Sequence, residues 1–186
     1  MKVLVVVDCQ NDFIDGALGS AEAQKAVPNI IEKLKNVDEN TCVIFTRDTH
    51  WDAHYLNSLE GQKLPVKHCI FNTHGWQINE KIVVALPAGV GRACLDKETF
   101  GSFDLMELIR EFEEAYWDQT GDEATLEEIE LIGFCTDICV ISNALALRMV
   151  RPNTPIRVDK SCCAGTTIMN HLSALDVMKS CQIEVY

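Results

Sequence analysis

The sequence predicts one α/β domain spanning residues 1–186, in which helices cover both faces of a doubly wound parallel sheet to give three layers. Short apolar runs rich in β-branched residues alternate with longer segments of helical period along the chain. The first run, Val3–Val7, is continuously apolar, which is typical of a parallel strand buried on both faces. A length of 186 residues is enough for a single core without disulfide bonds.

The predicted elements follow this alternation in order. Six short segments are predicted strands: Val3–Val7, Cys42–Thr46, Ala93–Leu95, Ile129–Phe134, Ile156–Val158 and Ile183–Val185. Segments with apolar residues three and four positions apart are predicted helices: Ala26–Leu34, Phe103–Phe112, Asp137–Met149 and Leu172–Met178. Because crossovers between parallel strands are right-handed, this order favours a single sheet with helices on each face.

Two segments depart from the alternation. Asp48–Trp76 has little periodicity and is rich in His, Trp and Asn, and a loop of this length in a compact domain is usually functional. Glu111–Glu128 is strongly acidic, and we interpret it as a solvated helix with a turn at Gly121-Asp122.

The composition excludes several classes of function. Sixteen Lys and Arg residues against 28 Asp and Glu give a net charge of −12, and such a surface repels nucleic-acid phosphates and anionic lipids. No run approaches the roughly 20 apolar residues of a membrane span, and the N-terminus lacks the features of a signal peptide. The nine cysteines contain no CxxC pair, which favours free thiols. We therefore expect a cytoplasmic protein that binds neither nucleic acid nor membrane.

Polar side chains follow four of the predicted strands. The first strand ends at Asp8, the second at Asp48 and the third at Lys97, and the fourth runs into a turn that leads to Cys139. In an open parallel sheet the functional groups lie beyond the carboxyl ends of the strands. An acidic residue after one strand is often only a helix cap, but the joint placement predicts a reactive site at this edge.

Cys139 is the candidate nucleophile. A helix that begins at about Asp137 places its thiol in the first turn, where the helix dipole should lower the thiol pKa. The backbone N–H groups of Cys135 and Cys139 could stabilise an oxyanion formed by attack on a carbonyl. The position also fits a small buried thiol with no chemical role.

Asp8 and Lys97 supply the other groups that such a thiol needs. A carboxylate beside the sulfur can accept the thiol proton and later deliver it to a leaving amine. A nearby ammonium group holds the carboxylate in place and favours negative charge on the sulfur. Taken one at a time, Asp8 is also consistent with a turn residue and Lys97 with a surface lysine.

A metal site is predicted in the segment after the second strand. Asp48 and His50 are two positions apart, so on an extended backbone they project to the same side. Together with His68 they suit a divalent transition metal that keeps positions open for water or substrate. Either His54 or Glu60 could add a fourth ligand, and the spacing does not decide between them.

Five stretches of the chain resemble a known family. The chain is similar to the isochorismatase-like cysteine hydrolases, and within them to the nicotinamidase and pyrazinamidase group. The resemblance covers roughly the first four-fifths of the chain, and the matching stretches come in the family's order. They are Val5–Phe13 (VVVDCQNDF), Thr46–His50 (TRDTH), His68-Cys69 with Gly75, Lys97–Phe103 (KETFGSF) and Gly133–Val140 (GFCTDICV).

The resemblance implies a parallel six-stranded, Rossmann-like sheet in a protein that is often a homo-oligomer. It implies a catalytic triad of Asp8, Lys97 and Cys139. It also implies one divalent metal, zinc above iron or manganese, held by Asp48, His50 and His68.

Further features of the substrate site follow from the same resemblance. A cis peptide before Cys135 would shape an oxyanion hole from the Cys135 and Cys139 amides. Phe13 and Phe134 would line the substrate pocket. The implied reaction is hydrolysis of a small amide, most simply nicotinamide, through a thioester on Cys139.

The chain departs from the family pattern around the pocket. The family usually has Asp-Trp-His-Pro and Trp-Pro-x-His-Cys, whereas this chain has Asp48–Trp51 (DTHW) and Leu64–Cys69 (LPVKHC). The usual pocket tryptophan is therefore missing from its place, and Trp51 and Trp76 are the candidates to substitute for it. This leaves two alternatives beside nicotinamide hydrolysis: a related hydrolase of another small amide or ureide, and a non-catalytic thiol sensor or interaction protein.

Overall fold

A computed structural model describes residues 1–121 and 126–186 and contains a six-stranded parallel sheet. The strand order is β3-β2-β1-β4-β5-β6. The strands are β1 Lys2–Val7, β2 Thr41–Asp48, β3 Arg92–Lys97, β4 Glu128–Phe134, β5 Ile156–Ala164 and β6 Glu184–Val185. This arrangement confirms the predicted doubly wound sheet, since the chain moves outward from β1 to one edge and then from β4 to the other.

Helices cover both faces of the sheet. They are α1 Asn11–Ile14, α2 Ala21–Lys35, α3 Leu59–Lys63, α4 Glu80–Val83, α5 Phe103–Thr120, α6 Ile141–Val150 and α7 Ile168–Ser180. One core layer joins α5, α6 and α7 to the β1 side chains Val3, Val5 and Val7, and the other joins α2 and α4 to Leu4 and Val6. The continuous apolar run in β1 is thus buried on both faces, as the sequence predicted.

Several elements are longer than the sequence predicted. The α2 helix begins at Ala21 because the Ser20 hydroxyl accepts a hydrogen bond from the Ala23 N–H and so caps the helix. The α5 helix continues through the acidic residues as far as Thr120, which confirms a helix in the first part of Glu111–Glu128, and Gly121 ends it in a left-handed conformation at φ +71°. The glycine half of the predicted Gly121-Asp122 turn is therefore seen, while Asp122 lies outside the described residues. The end of the prediction for Glu111–Glu128 is wrong, because Glu128 begins β4.

The predicted loop Asp48–Trp76 is packed onto the domain rather than extended into solvent. It contains one turn of 3₁₀ helix at Tyr55–Asn57 and the short α3 helix. Tyr55 is buried, and its hydroxyl donates a hydrogen bond to the Leu64 carbonyl at 2.8 Å. The segment can therefore hold side chains in fixed positions above the sheet edge.

Two predictions from the composition concern membrane-spanning helices and disulfide bonds. No helix among the described residues combines the length and apolar content needed to cross a bilayer. All nine cysteines are free, as the sequence predicted. The cytoplasmic location and the homo-oligomer stay predictions.

The central strands β1 and β4 approach closely at Gly133. This residue has φ +115°, and a Cβ atom added there would lie 2.0 Å from the Val7 carbonyl oxygen. Only glycine fits, because both the backbone conformation and the contact exclude a side chain. The close approach brings Asp8, which follows Val7, beside the turn that follows β4.

We predict that Gly133→Ala lowers the free energy of unfolding by more than about 3 kcal/mol, since a buried backbone contact must break. The matched control is Gly89→Ala, where φ is +98° but a Cβ would meet nothing within 4 Å. That variant should lose only about 1–2 kcal/mol through backbone strain. Urea unfolding of both variants measures the difference, and equal losses would contradict the close-contact argument.

Candidate active site

Four side chains from four strand ends meet at the carboxyl edge of the sheet. Lys97 is paired with Asp48 in the register of β2 and β3. The Lys97 Nζ atom lies 2.7 Å from Asp8 Oδ2, 3.5 Å from Cys139 Sγ and 3.5 Å from Asp48 Oδ1. All four residues are buried. The structure therefore brings together the carboxylates, amine and thiol that the sequence placed at one edge.

The Asp8 carboxylate is fixed from two sides. The Thr46 hydroxyl donates a hydrogen bond to Asp8 Oδ1 at 2.6 Å, while Asp8 Oδ2 faces Lys97. Burial raises the pKa of Asp8, and the neighbouring Lys97 charge opposes that rise. A carboxylate held in this way and made more basic by burial is suited to accept a proton from a neighbouring group.

Lys97 keeps its charge in spite of its burial. Burial alone would lower the pKa of the ammonium group, but the neighbouring Asp8 and Cys139 groups outweigh it, so the pKa lies above its usual range. A buried ion pair of this kind is stable only while both partners are present, because a lone buried charge is costly. The ammonium group is therefore a fixed positive charge beside the sulfur.

Cys139 lies in a turn of π-helix, Thr136–Val140, that precedes α6. Burial raises the pKa of its thiol well above the usual value, the Asp8 carboxylate adds to the rise, and Lys97 opposes it. The prediction from the sequence that the thiol pKa is lowered is therefore wrong. Burial beside a carboxylate raises the pKa by more than the helix N-terminus lowers it. The thiol holds its proton at rest and needs a base to remove it.

The turn before Cys139 has the backbone that the resemblance implied. The peptide bond between Phe134 and Cys135 is cis. The Cys135 carbonyl accepts hydrogen bonds from the Ile138 and Val140 N–H groups, both at 3.1 Å. Cys135 and Cys139 both line a cavity at this edge of the sheet, and the oxyanion hole formed by their amides stays a prediction.

A second cluster, the candidate metal centre, lies beside the first and consists of Asp48, His50, Glu60 and His68. One ligand atom from each lies within 4.8 Å of those from all the others. The structure thus brings Glu60 to the cluster. His54 is exposed to solvent and lies outside it, because the chain turns away at Tyr55–Asn57.

The donor atoms of the candidate metal centre suit a cation. His50 Nε2 is buried and, within the described part of the chain, has no hydrogen-bond partner, although Asp48 Oδ2 is 2.9 Å away. His68 Nδ1 donates to the Val66 carbonyl at 2.9 Å, which leaves Nε2 to face the cluster. Two imidazole nitrogens and two carboxylates are ligands that zinc, iron and manganese accept.

The charges within this centre depend on one another. Burial alone would raise the pKa of Asp48, but contacts with His50 and His68 outweigh it and lower the pKa below its usual range. Burial alone would lower the pKa of His68, but contacts with Asp48 and Glu60 raise it to about 10. The two carboxylates therefore attract positive charge to this position, whether protons or a metal ion.

The cavity, with a volume of about 800 Å³, opens onto both clusters. Phe13 and Phe134 line it, as the resemblance implied, and so do the apolar side chains Leu59, Leu64 and Phe100. The tryptophans do not line it, so their expected substitution for the pocket tryptophan is wrong. Trp76 is buried and donates to the Thr49 hydroxyl at 2.9 Å, whereas Trp51 is half exposed and donates to Glu98 at 2.8 Å.

A family model described as the isochorismatase domain matches residues 2–186. The chain belongs to the isochorismatase family.

Similar proteins with described activities cover nearly the whole of this isochorismatase-family chain. The nicotinamidase/pyrazinamidase of Mycobacterium tuberculosis is 23% identical, over 100% of this chain and 98% of that protein. The solved pyrazinamidase of Pyrococcus horikoshii, in complex with zinc, is 26% identical with a TM-score of 0.76 and covers 100% of this chain and 98% of its own. The nicotinamidase of Bacillus subtilis is 24% identical with a TM-score of 0.78, covering 99% and 98%.

Sequence reasoning about this isochorismatase-family chain missed Thr46 and the cavity-lining residue Leu59. A hydroxyl at the end of the apolar stretch of β2 was the available signal for Thr46, since β1 and β2 are neighbours and Asp8 follows β1. Leu59 gave no signal, because an isolated apolar residue in a loop is ordinary.

We predict that Lys97→Met lowers the free energy of unfolding by about 3–5 kcal/mol, because it leaves buried carboxylates without their cation. Adding Asp8→Asn should recover part of this loss. Lys63→Met, at an exposed lysine of the cavity rim, is the control and should change stability by about 0.5 kcal/mol or less. Urea unfolding with a chelator present measures all of these variants. Additive losses in the double variant would contradict the coupling.

Proposed function

We propose that this protein is a metal-containing cysteine amidohydrolase that converts nicotinamide and water to nicotinic acid and ammonia. One observation carries the proposal: Lys97 contacts both Asp8 and Cys139, and Cys139 lines a cavity that is also lined by the candidate metal ligands Asp48, Glu60 and His68. A base, a fixed positive charge and a thiol are the parts that nucleophilic hydrolysis of an amide needs. The names of the similar proteins support nicotinamide as the substrate.

The first half of the reaction forms a thioester. Asp8 removes the thiol proton of Cys139, and the thiolate attacks the carboxamide carbon. The backbone N–H groups of Cys135 and Cys139 would stabilise the resulting oxyanion. Asp8 then delivers the proton to the amide nitrogen, the carbon–nitrogen bond breaks, and ammonia leaves. Lys97 stays protonated and holds Asp8 in position throughout.

The second half returns the enzyme to its starting state. A water molecule attacks the thioester carbon while Asp8 accepts one of its protons. The carbon–sulfur bond breaks, Asp8 returns the proton to the Cys139 sulfur, and nicotinic acid is released. The raised thiol pKa favours this return, because the sulfur leaves as a thiolate and then holds a proton at rest.

The substrate ring has an apolar contact surface between the two clusters. The Phe13 ring lies edge-on to the His68 ring, with centroids 5.7 Å apart, and both line the cavity. A pyridine ring placed between Phe13 and Phe134 would bring its carboxamide toward Cys139 and its ring nitrogen toward the candidate metal centre. Aromatic walls of this kind exclude water from the reacting group.

Asp48, His50, Glu60 and His68 would hold the metal. When bound, a divalent metal with open positions supplies a Lewis acid for the pyridine nitrogen of the substrate. Zinc is the first choice, since the similar pyrazinamidase was solved in complex with zinc, and iron and manganese fit the same donors.

The cavity favours a second candidate, a related hydrolase of another small amide or ureide. Its volume of about 800 Å³ is in the range that holds drug-sized ligands, so nicotinamide would fill only a part of it. Leu64 and Phe100 form an outer wall to which a longer acyl group could bind. Comparing kcat/KM for nicotinamide, pyrazinamide and larger primary amides and ureides decides between the two substrates.

We predict that Cys139→Ala lowers kcat for ammonia release from nicotinamide by on the order of 10⁴-fold or more, because no other group forms the thioester. The matched control is Cys181→Ala, at the end of α7 and away from the cavity, which should keep wild-type activity. Ammonia release from nicotinamide and pyrazinamide measures both. Activity of Cys139→Ala equal to that of the wild type would refute a thiol mechanism.

We predict that chelation lowers activity by on the order of 100-fold and that zinc restores it, because several kcal/mol of charge stabilisation are lost with the metal. His50→Ala should bind less than one equivalent of zinc after purification and dialysis. The matched variant His54→Ala should bind as much as the wild type, since His54 is exposed and lies outside the ligand cluster. Elemental analysis measures the metal, and equal loss in both variants would contradict the assigned ligand set.

A further inference from the structure

Gln10 holds the backbone of a candidate metal ligand on both sides. Its side-chain oxygen accepts from the Asp48 N–H at 2.7 Å, and its side-chain nitrogen donates to the Asp48 carbonyl at 2.8 Å. The same nitrogen donates to the Trp76 carbonyl at 2.8 Å. Gln10 is fully buried. The Gln10 side-chain amide thus makes the two hydrogen bonds with the Asp48 backbone that a neighbouring β-strand would make. Asp48 is the last residue of β2.

Asp12 holds the backbone next to a second candidate ligand. Its Oδ2 atom accepts from the N–H of Cys69, the residue after His68, at 2.7 Å. Cys69 has φ +47°, a left-handed conformation that costs free energy for a residue with a side chain. A Cβ atom added to Gly75 would lie 2.1 Å from Asp12 Oδ2, so the glycine leaves room for this carboxylate. The bond from Asp12 therefore stabilises a backbone conformation that the sequence does not favour by itself.

Backbone hydrogen bonds connect the segment around Cys69 to a third candidate ligand, His50. The His50 N–H donates to the Cys69 carbonyl at 3.0 Å, and the His50 carbonyl accepts from the Phe71 N–H at 2.8 Å. The peptide groups on either side of Cys69 are thus bonded to Asp12 and to His50. A shift of the Cys69 backbone would move His50 and His68 relative to each other.

We propose that Gln10 and Asp12 are positioning residues of the candidate metal centre, acting through the backbone of its ligand segments. This inference rests on the proposed metal binding and goes beyond it. Neither residue belongs to the cluster of donor atoms, so neither is assigned a bond to the metal. Loss of groups that orient metal ligands typically weakens metal binding by about 10- to 100-fold, and that is the expected effect here.

Two substitutions of similar volume test the proposal by opposite changes of charge. Gln10→Glu adds a negative charge and places an oxygen against the Asp48 and Trp76 carbonyls, where the amide nitrogen donated before. Asp12→Asn removes a negative charge and weakens the bond to the Cys69 N–H. A purely electrostatic effect on a cation would strengthen zinc binding in the first variant and weaken it in the second. Positioning predicts that both variants weaken it.

The measurement is the zinc dissociation constant of the metal-free protein, obtained by competition with a chromophoric chelator. The control is Asn29→Asp, which adds the same charge as Gln10→Glu. It also removes a hydrogen bond from a side-chain amide to a backbone carbonyl, but that carbonyl is at Ser161 in β5 and not in a ligand segment. It should bind zinc within about twofold of the wild type. Gly75→Ala is a further variant that displaces Asp12 without replacing it, and it should weaken binding as Asp12→Asn does.

Further readouts separate positioning from a general loss of structure. Thermal unfolding of each metal-free variant, followed by circular dichroism, establishes that binding is measured on folded protein. Alkylation of Cys139 by iodoacetamide, followed by peptide mass analysis, should proceed within about twofold of the wild-type rate, because the contacts among Asp8, Lys97 and Cys139 are unchanged.

The proposal is overturned if folded Gln10→Glu and Asp12→Asn bind zinc as tightly as the wild type, or if their affinities change in opposite directions. Should Gln10→Glu not fold, Asp12→Asn and Gly75→Ala decide the question by the same criterion. A wild-type protein that binds no zinc refutes the proposed metal centre itself. One that binds zinc but does not hydrolyse nicotinamide refutes the proposed substrate and leaves the positioning result valid.

Discussion

A single buried ammonium group organises the site. Lys97 contacts the carboxylates of Asp8 and Asp48 and the sulfur of Cys139. The candidate catalytic residues and the candidate metal ligand Asp48 therefore share one cation. Without that charge, the Asp8 carboxylate would lie in the interior without a cation, which is costly in free energy, and Asp48 would keep only His50 and His68 as partners. The chemistry of the cavity and the packing of the strand ends therefore depend on the same contact.

The sheet explains how residues far apart in sequence reach that contact. Parallel strands all end at one edge, and the order β3-β2-β1-β4 places the ends of four strands side by side. Gly133 lets β4 approach the end of β1, and the segment after β2 returns across the edge with Glu60 and His68. One polar stretch after β1, Gln10–Asp12, bonds to the backbone of that returning segment.

Apolar patterning and strand ends were predictable from the sequence, whereas features that depend on tertiary contacts were missed. The six strands and the side chains after four of them were predictable, the central strands because buried parallel strands are continuous apolar runs and the others because they alternate with helical segments. The acidic half of α5 was predicted as a solvated helix, but its continuity with the first half was not, since it lacks apolar periodicity. Spacing alone could not separate His54 from Glu60 within an irregular loop. The thiol pKa of Cys139 was predicted with the wrong sign, because its burial beside Asp8 is a property of the folded chain.

The most direct test of the thiol mechanism is to trap the acyl group on the sulfur. The protein is mixed with excess nicotinamide, quenched with acid during steady-state turnover, digested and analysed by mass spectrometry. We expect a nicotinoyl group on the peptide that contains Cys139, which disappears on treatment with hydroxylamine. Rapid hydrolysis with the acyl group on a different residue would contradict the assignment of Cys139 as the nucleophile.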